Sequence, residues 1–333
     1  MAELADVVAD PIDRAAAVLG AAGDVALACH VNPDADALGS MLGLSNFLRE
    51  RGARTVCSFG NEPLDLPRWA ALLPGTDAIV SVGDFPAAPE IFVTCDTASL
   101  DRLGALMPVS GRAGQVIWID HHVSNEGLGT IPVIDPAASS TAEVVYRILR
   151  RIGGDISAAT AACLYAGIVT DTGRFQYAAT RPETLRVAAE LREQPFDHVG
   201  LAQALYEDNS APYLRLLARA LGRLELEPED DLVWTYLTQA DVAEAGVHPS
   251  ETDELIDLIR TAREVDVAAV VRQQRDGRFK VSLRSRARHD VAAVASAFGG
   301  GGHRLAAGYT SRHGLAETLE RLRAALQGQT PAP

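Results

Sequence analysis

The chain alternates short apolar blocks with longer stretches in which apolar residues recur every three or four positions. VALAC (25–29), TVCSF (55–59), IFVTC (91–95) and VIWI (116–119) are continuous and short, the pattern of strands buried on both faces. Between them, ALGSMLGLSNFLRERG (37–52) carries helical spacing and ends at Gly52. SSTAEVVYRILRRIGG (139–154) reads as a helix opened by a Ser140–Glu143 capping box and stopped at Gly153. Strands alternating with helices predict an α/β region: a mostly parallel sheet with helices on both faces.

The pattern changes after 181. Residues 181–226 read as helical and charged, with no strand-like run. DLVWTYL (231–237), VDVAAVVRQQ (265–274) and RFKVSLRSR (278–286) then predict strands of a smaller α+β region, the last two joined by a hairpin at Asp276-Gly277. Three regions follow: 1–190, a helical linker 191–226, and 227–328. The linker is apolar on more than one face (LRLLARALGRL), which predicts buried surface in a homodimer or against the first region. The tail QGQTPAP is low in complexity and is expected to be disordered.

Composition narrows the class. At 333 residues the chain exceeds what a single core usually supports. No apolar run reaches the roughly 18–20 residues of a membrane span, and the acidic start lacks the layout of a signal peptide, so a cytoplasmic protein that engages no membrane is expected. The four cysteines form no CxxC pair and read as small core residues. A net charge of −14 argues against binding long nucleic acid, though a short anionic ligand at a local site is compatible with it.

Acids and histidines fall where the strands end. His30, Asp34 and Asp36 follow the first strand in HVNPDADALG; Asp96 follows IFVTC; Asp120, His121 and His122 follow VIWI. Asp171 closes another apolar run, LYAGIVTD, which reads equally as helix or strand. In open parallel sheets ligands bind beyond the carboxyl ends of the strands. So many acids in one place repel one another, and a cation is the simple remedy. An oxygen and nitrogen donor set without thiolate suits one or two divalent ions such as Mn²⁺ or Mg²⁺. Two such ions can hold the oxygens of a phosphoryl group during in-line displacement, which points to phosphoester hydrolysis. Taken singly, each segment has a plainer reading: NPDADALG as a helix cap, Asp96 as another, DHH as a surface pair.

A second constellation is FGGGGHRLAAG (298–308). Its glycines let the backbone approach a ligand and cradle an anion, or form a tight loop. Just upstream, 272–289 carries seven lysine and arginine residues against one acid. Arg284, Ser285 and His303 stand out as candidates for a phosphate or carboxylate clamp, whereas Arg275, Arg278 and Arg288 read as a solvated strand face. An aromatic share of 5% leaves little for an extended base-stacking platform.

Together HVNPDAD, TCD, DHH, VTDTG and GGGGHRLAAG resemble the DHH phosphoesterase family with its DHHA1 substrate domain, over almost the whole chain. The length is most similar to the stand-alone nanoRNase and pAp phosphatase branch, whose relatives act on cyclic di-AMP and pApA. The resemblance implies an N-terminal DHH domain (1–190) and a C-terminal DHHA1 domain (227–328). It implies that His30, Asp34 and Asp96 bind one metal ion and that Asp36, Asp96, His121 and Asp171 bind the other, most often Mn²⁺, with Mg²⁺ or Co²⁺ as substitutes. His122 then faces the substrate phosphate and Asp120 orients its neighbours. Arg284, Ser285, Gly302 and His303 match the family's nucleotide-phosphate contacts. The implied activity is hydrolysis of short oligoribonucleotides, pApA and cyclic di-AMP to mononucleotides, and of pAp to AMP. The rivals are a pyrophosphatase or polyphosphatase of the same superfamily, and a nucleotide sensor with an idle metal site.

Overall fold

The computed structural model describes residues 10–125, 127–247, 252 and 255–328, with His303 described by its backbone alone. The chain divides into two compact units, one ending at Asp208 and the next beginning at Asn209. In the first, the helices are α1 (Pro11–Gly20), α2 (Ala35–Arg49), the single turn α3 (Met107–Ser110), α4 (Thr141–Ile152), α5 (Ala158–Asp171), α6 (Pro182–Arg192) and α7 (His198–Tyr206). The strands are β1 (Asp24–Cys29), β2 (Arg54–Phe59), β3 (Ile91–Cys95), β4 (Gln115–Asp120) and β5 (Ile131–Ile134). They form one sheet in the order β2-β1-β3-β4-β5, parallel throughout. The sheet is buried on both faces. Leu27, Val93, Ile117 and Ile119 pack on the α2, α4 and α5 side, whereas Ala28, Phe92 and Trp118 pack with Leu103 and Leu106 on the other.

Two local features bring this core close together. Helices α2 and α5 approach tightly at Gly39, where a Cβ would lie 2.3 Å from the carbonyl oxygen of Cys163. That approach aligns the first turn of α2 with the last turn of α5, which carry Asp36 and Asp171. All four cysteines are reduced and buried, three of them (Cys29, Cys57 and Cys95) on strands of the sheet.

The second unit contains α8 (Ala211–Leu221), β6 (Glu225–Glu227), β7 (Leu232–Leu237), α9 (Gln239–Ala245), α10 (Leu255–Ile259), β8 (Val267–Gln273), β9 (Phe279–Ser285), α11 (Val291–Ala297), β10 (Gly301–His303), β11 (Ala306–Ser311) and α12 (Leu315–Gln327). Its sheet order is β10-β11-β9-β8-β7-β6, with β7 and β8 parallel and the other pairs antiparallel. The Asp276-Gly277 hairpin forms as expected, Gly277 taking a positive φ of 82°. Of the tail QGQTPAP, Gln327 ends α12 and Gly328 caps it, so the expected disorder does not begin at 327, and the residues from 329 onward lie outside the described residues.

Three expectations need adjusting. Residues 181–226 are helical as α6, α7 and α8, but Glu225 already belongs to β6, so a strand begins inside the stretch. The glycine run is not wholly loop, because Gly301–His303 pairs as β10 with β11. The capping box at α4 is only half made. Ser140 Oγ accepts from Glu143 N–H at 3.2 Å, but the Glu143 carboxylate turns instead to Ser139, whose N–H and hydroxyl both donate to it. The reason is a better set of partners: Thr184 and Arg181 also donate to that buried carboxylate.

Candidate metal centre

The strand order of the first unit reverses between β1 and β3, and the crevice at such a switch point is where open α/β sheets bind ligands. His30 leaves the end of β1 and Asp96 the end of β3. His30 Nε2 lies 3.4 Å from Asp96 Oδ2 and 3.7 Å from Asp34 Oδ2. His30 Nδ1–H donates to the Val31 carbonyl at 2.8 Å, which commits that nitrogen and turns Nε2 toward the acids.

Asp34 serves two purposes at once. Its Oδ1 caps α2, accepting from the N–H groups of Asp36 and Ala37, and its Oδ2 faces His30. The plain reading of NPDADALG as a helix cap is therefore correct, and the same carboxylate also faces His30. Asp36, in the first turn of α2 and 1% exposed, accepts from Thr141 N–H at 2.6 Å and Ala142 N–H at 2.9 Å, the first turn of α4. The Thr141 hydroxyl donates to Asp96 Oδ1 at 2.8 Å. Thr141 and the first N–H groups of α4 thus hold the Asp36 and Asp96 carboxylates from behind. Sequence reasoning read SST only as a cap.

Asp96 is the junction of the site. Its Oδ2 faces His30, whereas its Oδ1 lies 3.8 Å from His121 Nε2 and 3.6 Å from His122 Nδ1. His121 Nε2 lies 3.2 Å from Asp171 Oδ2. Asp171 ends α5, so the open reading of LYAGIVTD resolves as helix. Three clusters result, each with donor atoms within 4.8 Å of one another: His30, Asp34 and Asp96; Asp36, His121 and Asp171; and Asp96, His121 and His122. Asp96 itself adopts φ +56°, uncommon for a residue with a side chain and tolerated best by Asn and Asp.

Asp120 takes no part in these clusters. Fully buried, it accepts from the N–H groups of His121 and His122, from Asn125 Nδ2 at 2.7 Å and from His122 Nδ1–H at 2.7 Å. It holds the Asp-His-His turn in shape, and Asn125 is a contributor that the sequence did not reveal. Burial works to raise its carboxyl, but the bond from His122 and the others hold it below the usual range.

The electrostatics fit a cation. Burial pushes the Asp36 carboxyl well up, and the charges of Asp96 and Asp171 push it further. His30 and His122 are pulled down by burial, yet hydrogen bonds and charge from the surrounding aspartates carry them up to about 10 and about 9. Each histidine is drawing a proton into a field of uncompensated carboxylates. Asp171 adds to that field from the C-terminal, negative end of a helix, an unfavourable place for a carboxylate. An oxygen and imidazole donor set without thiolate suits divalent ions of the Mn²⁺ and Mg²⁺ kind.

The substrate candidates lie in the second unit. Arg284 and Ser285 end β9, and Gly302 lies in β10 at φ +142°, where a Cβ would meet the Ala306 carbonyl oxygen at 2.5 Å. Ser285 is buried and its hydroxyl donates to Asp266 at 2.5 Å. Asp266 also accepts from the N–H groups of Ala287, Arg288 and His289, so it shapes the turn that follows Arg284. Arg284 Nε lies 3.7 Å from Asp257. The side chain of His303 lies outside what the structure describes. Arg278 and Arg288 are exposed and paired with Asp276 and Asp231, as a solvated face requires.

A parallel sheet with clusters of acids and histidines at its switch point, joined in sequence to a separate α+β unit, is an arrangement suited to metal-assisted phosphoester chemistry. The profile of the DHH family, N-terminal domain, matches residues 24–168, and that of the DHHA1 domain matches 232–330; the chain belongs to this DHH/DHHA1 family. It is 33% identical over 288 residues to the bifunctional oligoribonuclease and PAP phosphatase NrnA of Thermus thermophilus, covering 86% of this chain and 84% of that one. Its fold is similar to that of an exopolyphosphatase-related protein from Bacteroides fragilis, with a TM-score of 0.88 at 26% identity and 98% of each chain covered. The fold is shared more distantly with RecJ of Thermus thermophilus in complex with Mn²⁺, with a TM-score of 0.57 at 18% identity, over 98% of this chain and 56% of that one.

Proposed function

We propose that this chain is a two-metal, Mn²⁺-dependent phosphodiesterase and phosphatase that cleaves short oligoribonucleotides, pApA and cyclic di-AMP to mononucleotides and converts pAp to AMP. The observation that carries the reading is Asp96, whose two oxygens face two different donor clusters. His30, Asp34 and Asp96 would hold one ion; Asp36, Asp96, His121 and Asp171 would hold the other. The ions, when bound, supply Lewis acidity at the phosphoryl oxygens and lower the pKa of the attacking water. The relative named as an oligoribonuclease and PAP phosphatase supports the substrate class.

The protein's own groups complete the chemistry. His122, held through Nδ1–H by Asp120, is oriented with its charged form stabilised, which suits it to steady a phosphoryl oxygen or protonate the leaving oxygen. Thr141 and the first turn of α4 fix Asp96 and Asp36 so that neither carboxylate has to reorganise as charge develops. We assign the substrate's other phosphate to Arg284, Ser285, Gly302 and His303 in the second unit. On this map 1–190 is catalytic, 191–226 connects, and 227–328 holds the nucleotide.

We further place the enzyme in the cytoplasm as a homodimer without membrane or long nucleic-acid partners. No helix among the described residues is long and apolar enough to cross a membrane. Val199 on α7 and Leu214 and Leu221 on α8 stay exposed, as surface awaiting a second copy would. Light scattering on the eluting protein tests the dimer. The test of function is to incubate metal-stripped protein with pApA, pAp and cyclic di-AMP separately, add Mn²⁺, and follow AMP, with Asp96→Asn as control. Mn²⁺-dependent AMP release that the variant loses is expected; nucleotide binding without turnover would leave a sensor.

A further inference from the structure

A large cavity lies away from the metal centre. It has a volume of about 950 Å³ and lies wholly within the second unit. Its wall includes Arg278, Lys280, Arg312, His313 and Arg321, and no Asp or Glu at all. In a chain with 44 acids against 30 lysines and arginines, an acid-free wall with five basic side chains is a marked local reversal of charge. The chain's only lysine is among them.

Three elements of the sheet and helices bring these cations together. Lys280 and Arg278 come from the start of β9 and the turn before it, Arg312 and His313 from the end of β11, and Arg321 from α12. Glu317, outside the wall, balances His313 and Arg321 at 2.8 and 2.9 Å, and Asp276 balances Arg278 at 2.6 Å. Arg312 is exposed and has no ion pair among the described residues. Phe298 lines the same cavity, stacked on Tyr309 with ring centroids 4.6 Å apart. Tyr309 is 5% exposed, and its hydroxyl is buried without a partner among the described residues.

This region is separate from the Arg284 end of the same strands. In the β9–β11 register Arg284 pairs with Ala306 and Lys280 with Thr310, four residues or about 13 Å further along. Strand β10 covers β11 only from Ala306 to Gly308, and the cavity lies where β11 runs on through Tyr309, Thr310 and Ser311. The size falls in the range of ligand sites and is too great for a single phosphate.

We propose that this cavity is a second anion site, which takes a chain of phosphates through Lys280, Arg312 and the neighbouring arginine forks. Its occupant is either the backbone of an oligonucleotide or a free polyphosphate, two sources of the same chemistry. The assignment concerns binding only. It stands apart from the metal centre, so it is tested on protein that cannot turn over.

Full-length protein stripped of metal and kept in chelator is titrated with inorganic tripolyphosphate, with a fluorescent five-nucleotide RNA, and with pAp. Wild type is expected to bind at least one of the first two ligands. The double variant Lys280→Gln/Arg312→Gln should bind that ligand at least tenfold more weakly, and the slope of log K against log salt for RNA should flatten by about 1.4 for the two lost contacts. Binding and Mn²⁺-dependent hydrolysis of pAp should be unchanged in the variant, which shows that it is folded. Loss confined to RNA identifies an oligonucleotide backbone as occupant, and loss confined to tripolyphosphate identifies a free polyphosphate. Absence of wild-type binding to both, or equal affinity in the variant for both, overturns the proposal. Failure of wild type to hydrolyse pAp would count against the proposed function and leave this binding result untouched.

Discussion

The metal centre of the first unit and the basic end of the second handle charge in opposite ways. Asp36, Asp96 and Asp120 are buried and held by donors, Asp36 by two N–H groups and Ser40, Asp96 by Thr141, Asp120 by four bonds, whereas Asp34 and Asp171 are more open. At the basic end of the second unit Arg278 and Arg321 are exposed or half-exposed side chains paired with the exposed acids Asp276 and Glu317. Buried carboxylates need positions fixed to within tenths of an ångström to share ions, and burial supplies that rigidity. Anion capture by arginine and lysine tolerates long, mobile side chains, so it can be assembled on a surface. The first arrangement favours chemistry, the second affinity.

The sharpest way to break this contrast is Asp96→Asn. The asparagine oxygen can still accept from Thr141, so the fold is preserved while the bridging charge is lost. Turnover is expected to fall about a thousandfold or more, since bound ions contribute several kcal/mol to phosphoryl transfer. In chelator the variant should melt at or above the wild-type temperature, because one of the mutually repelling acids is gone. Adding Mn²⁺ should raise the melting temperature of wild type and hardly that of the variant. Calorimetry with and without metal reads both signs.

Glu143 tests the scaffold behind the acids. It is fully buried and accepts from Ser139, Thr184 and Arg181, tying the start of α4 to α6. Glu143→Ala leaves those donors without their acceptor and should cost about 3 kcal/mol, read from urea denaturation. The carboxyl is raised by burial but lowered more by Ser139, Thr184 and Arg181, so its folded-state pKa lies below that of the unfolded chain. Its contribution is therefore present above the ordinary glutamate value of about 4.3 and is lost as pH falls through the lower folded value. Wild-type stability should drop more steeply than the variant's below about pH 4.

Thr141→Val removes the hydroxyl that donates to Asp96 and keeps the shape of the side chain. Mn²⁺ affinity should fall about tenfold, the usual scale for a residue that orients a ligand, and Thr141→Ser should restore it. Titration calorimetry of metal alone makes this independent of turnover.

Thr141 also marks where the sequence stopped being informative. The clustering of His30, Asp36, Asp96 and His121 was legible because strand ends in a parallel sheet converge, whereas Asp171 joins them from the end of helix α5. Their supports were not, because Thr141 and Asn125 meet their partners across 45 and 5 residues with no spacing rule to announce them. Among strands, β5, β6, β10 and β11 escaped the apolar pattern; three of them are sheet edges, and β11, an inner strand, is built mostly of small and polar residues around Tyr309. An edge strand can carry Pro132, alternate as Glu225-Leu226-Glu227, or consist mainly of glycine, since only one side has to pair and little has to be buried. The basic cavity was illegible for a related reason: its cations come from β9, β11 and α12, which only the fold places together.

The smallest effect expected concerns Ser285, where the two modes of handling charge meet. It follows Arg284 on an exposed, basic strand end, yet it is itself buried, with its hydroxyl donated to Asp266. As a support it shapes the turn through Asp266; as a substrate contact it has only its oxygen lone pairs left to offer. Ser285→Ala should cost about 1 kcal/mol of stability for the lost bond to a carboxylate. It should also raise KM for pAp about threefold, with kcat unchanged, because Arg284 is no longer held at its best angle. Asp266→Asn, which weakens the same turn but leaves the Ser285 hydroxyl in place, should shift KM in the same direction. A KM change on Ser285→Ala that Asp266→Asn does not reproduce would make Ser285 a direct substrate contact, and the second unit would then have a buried, rigid element of its own.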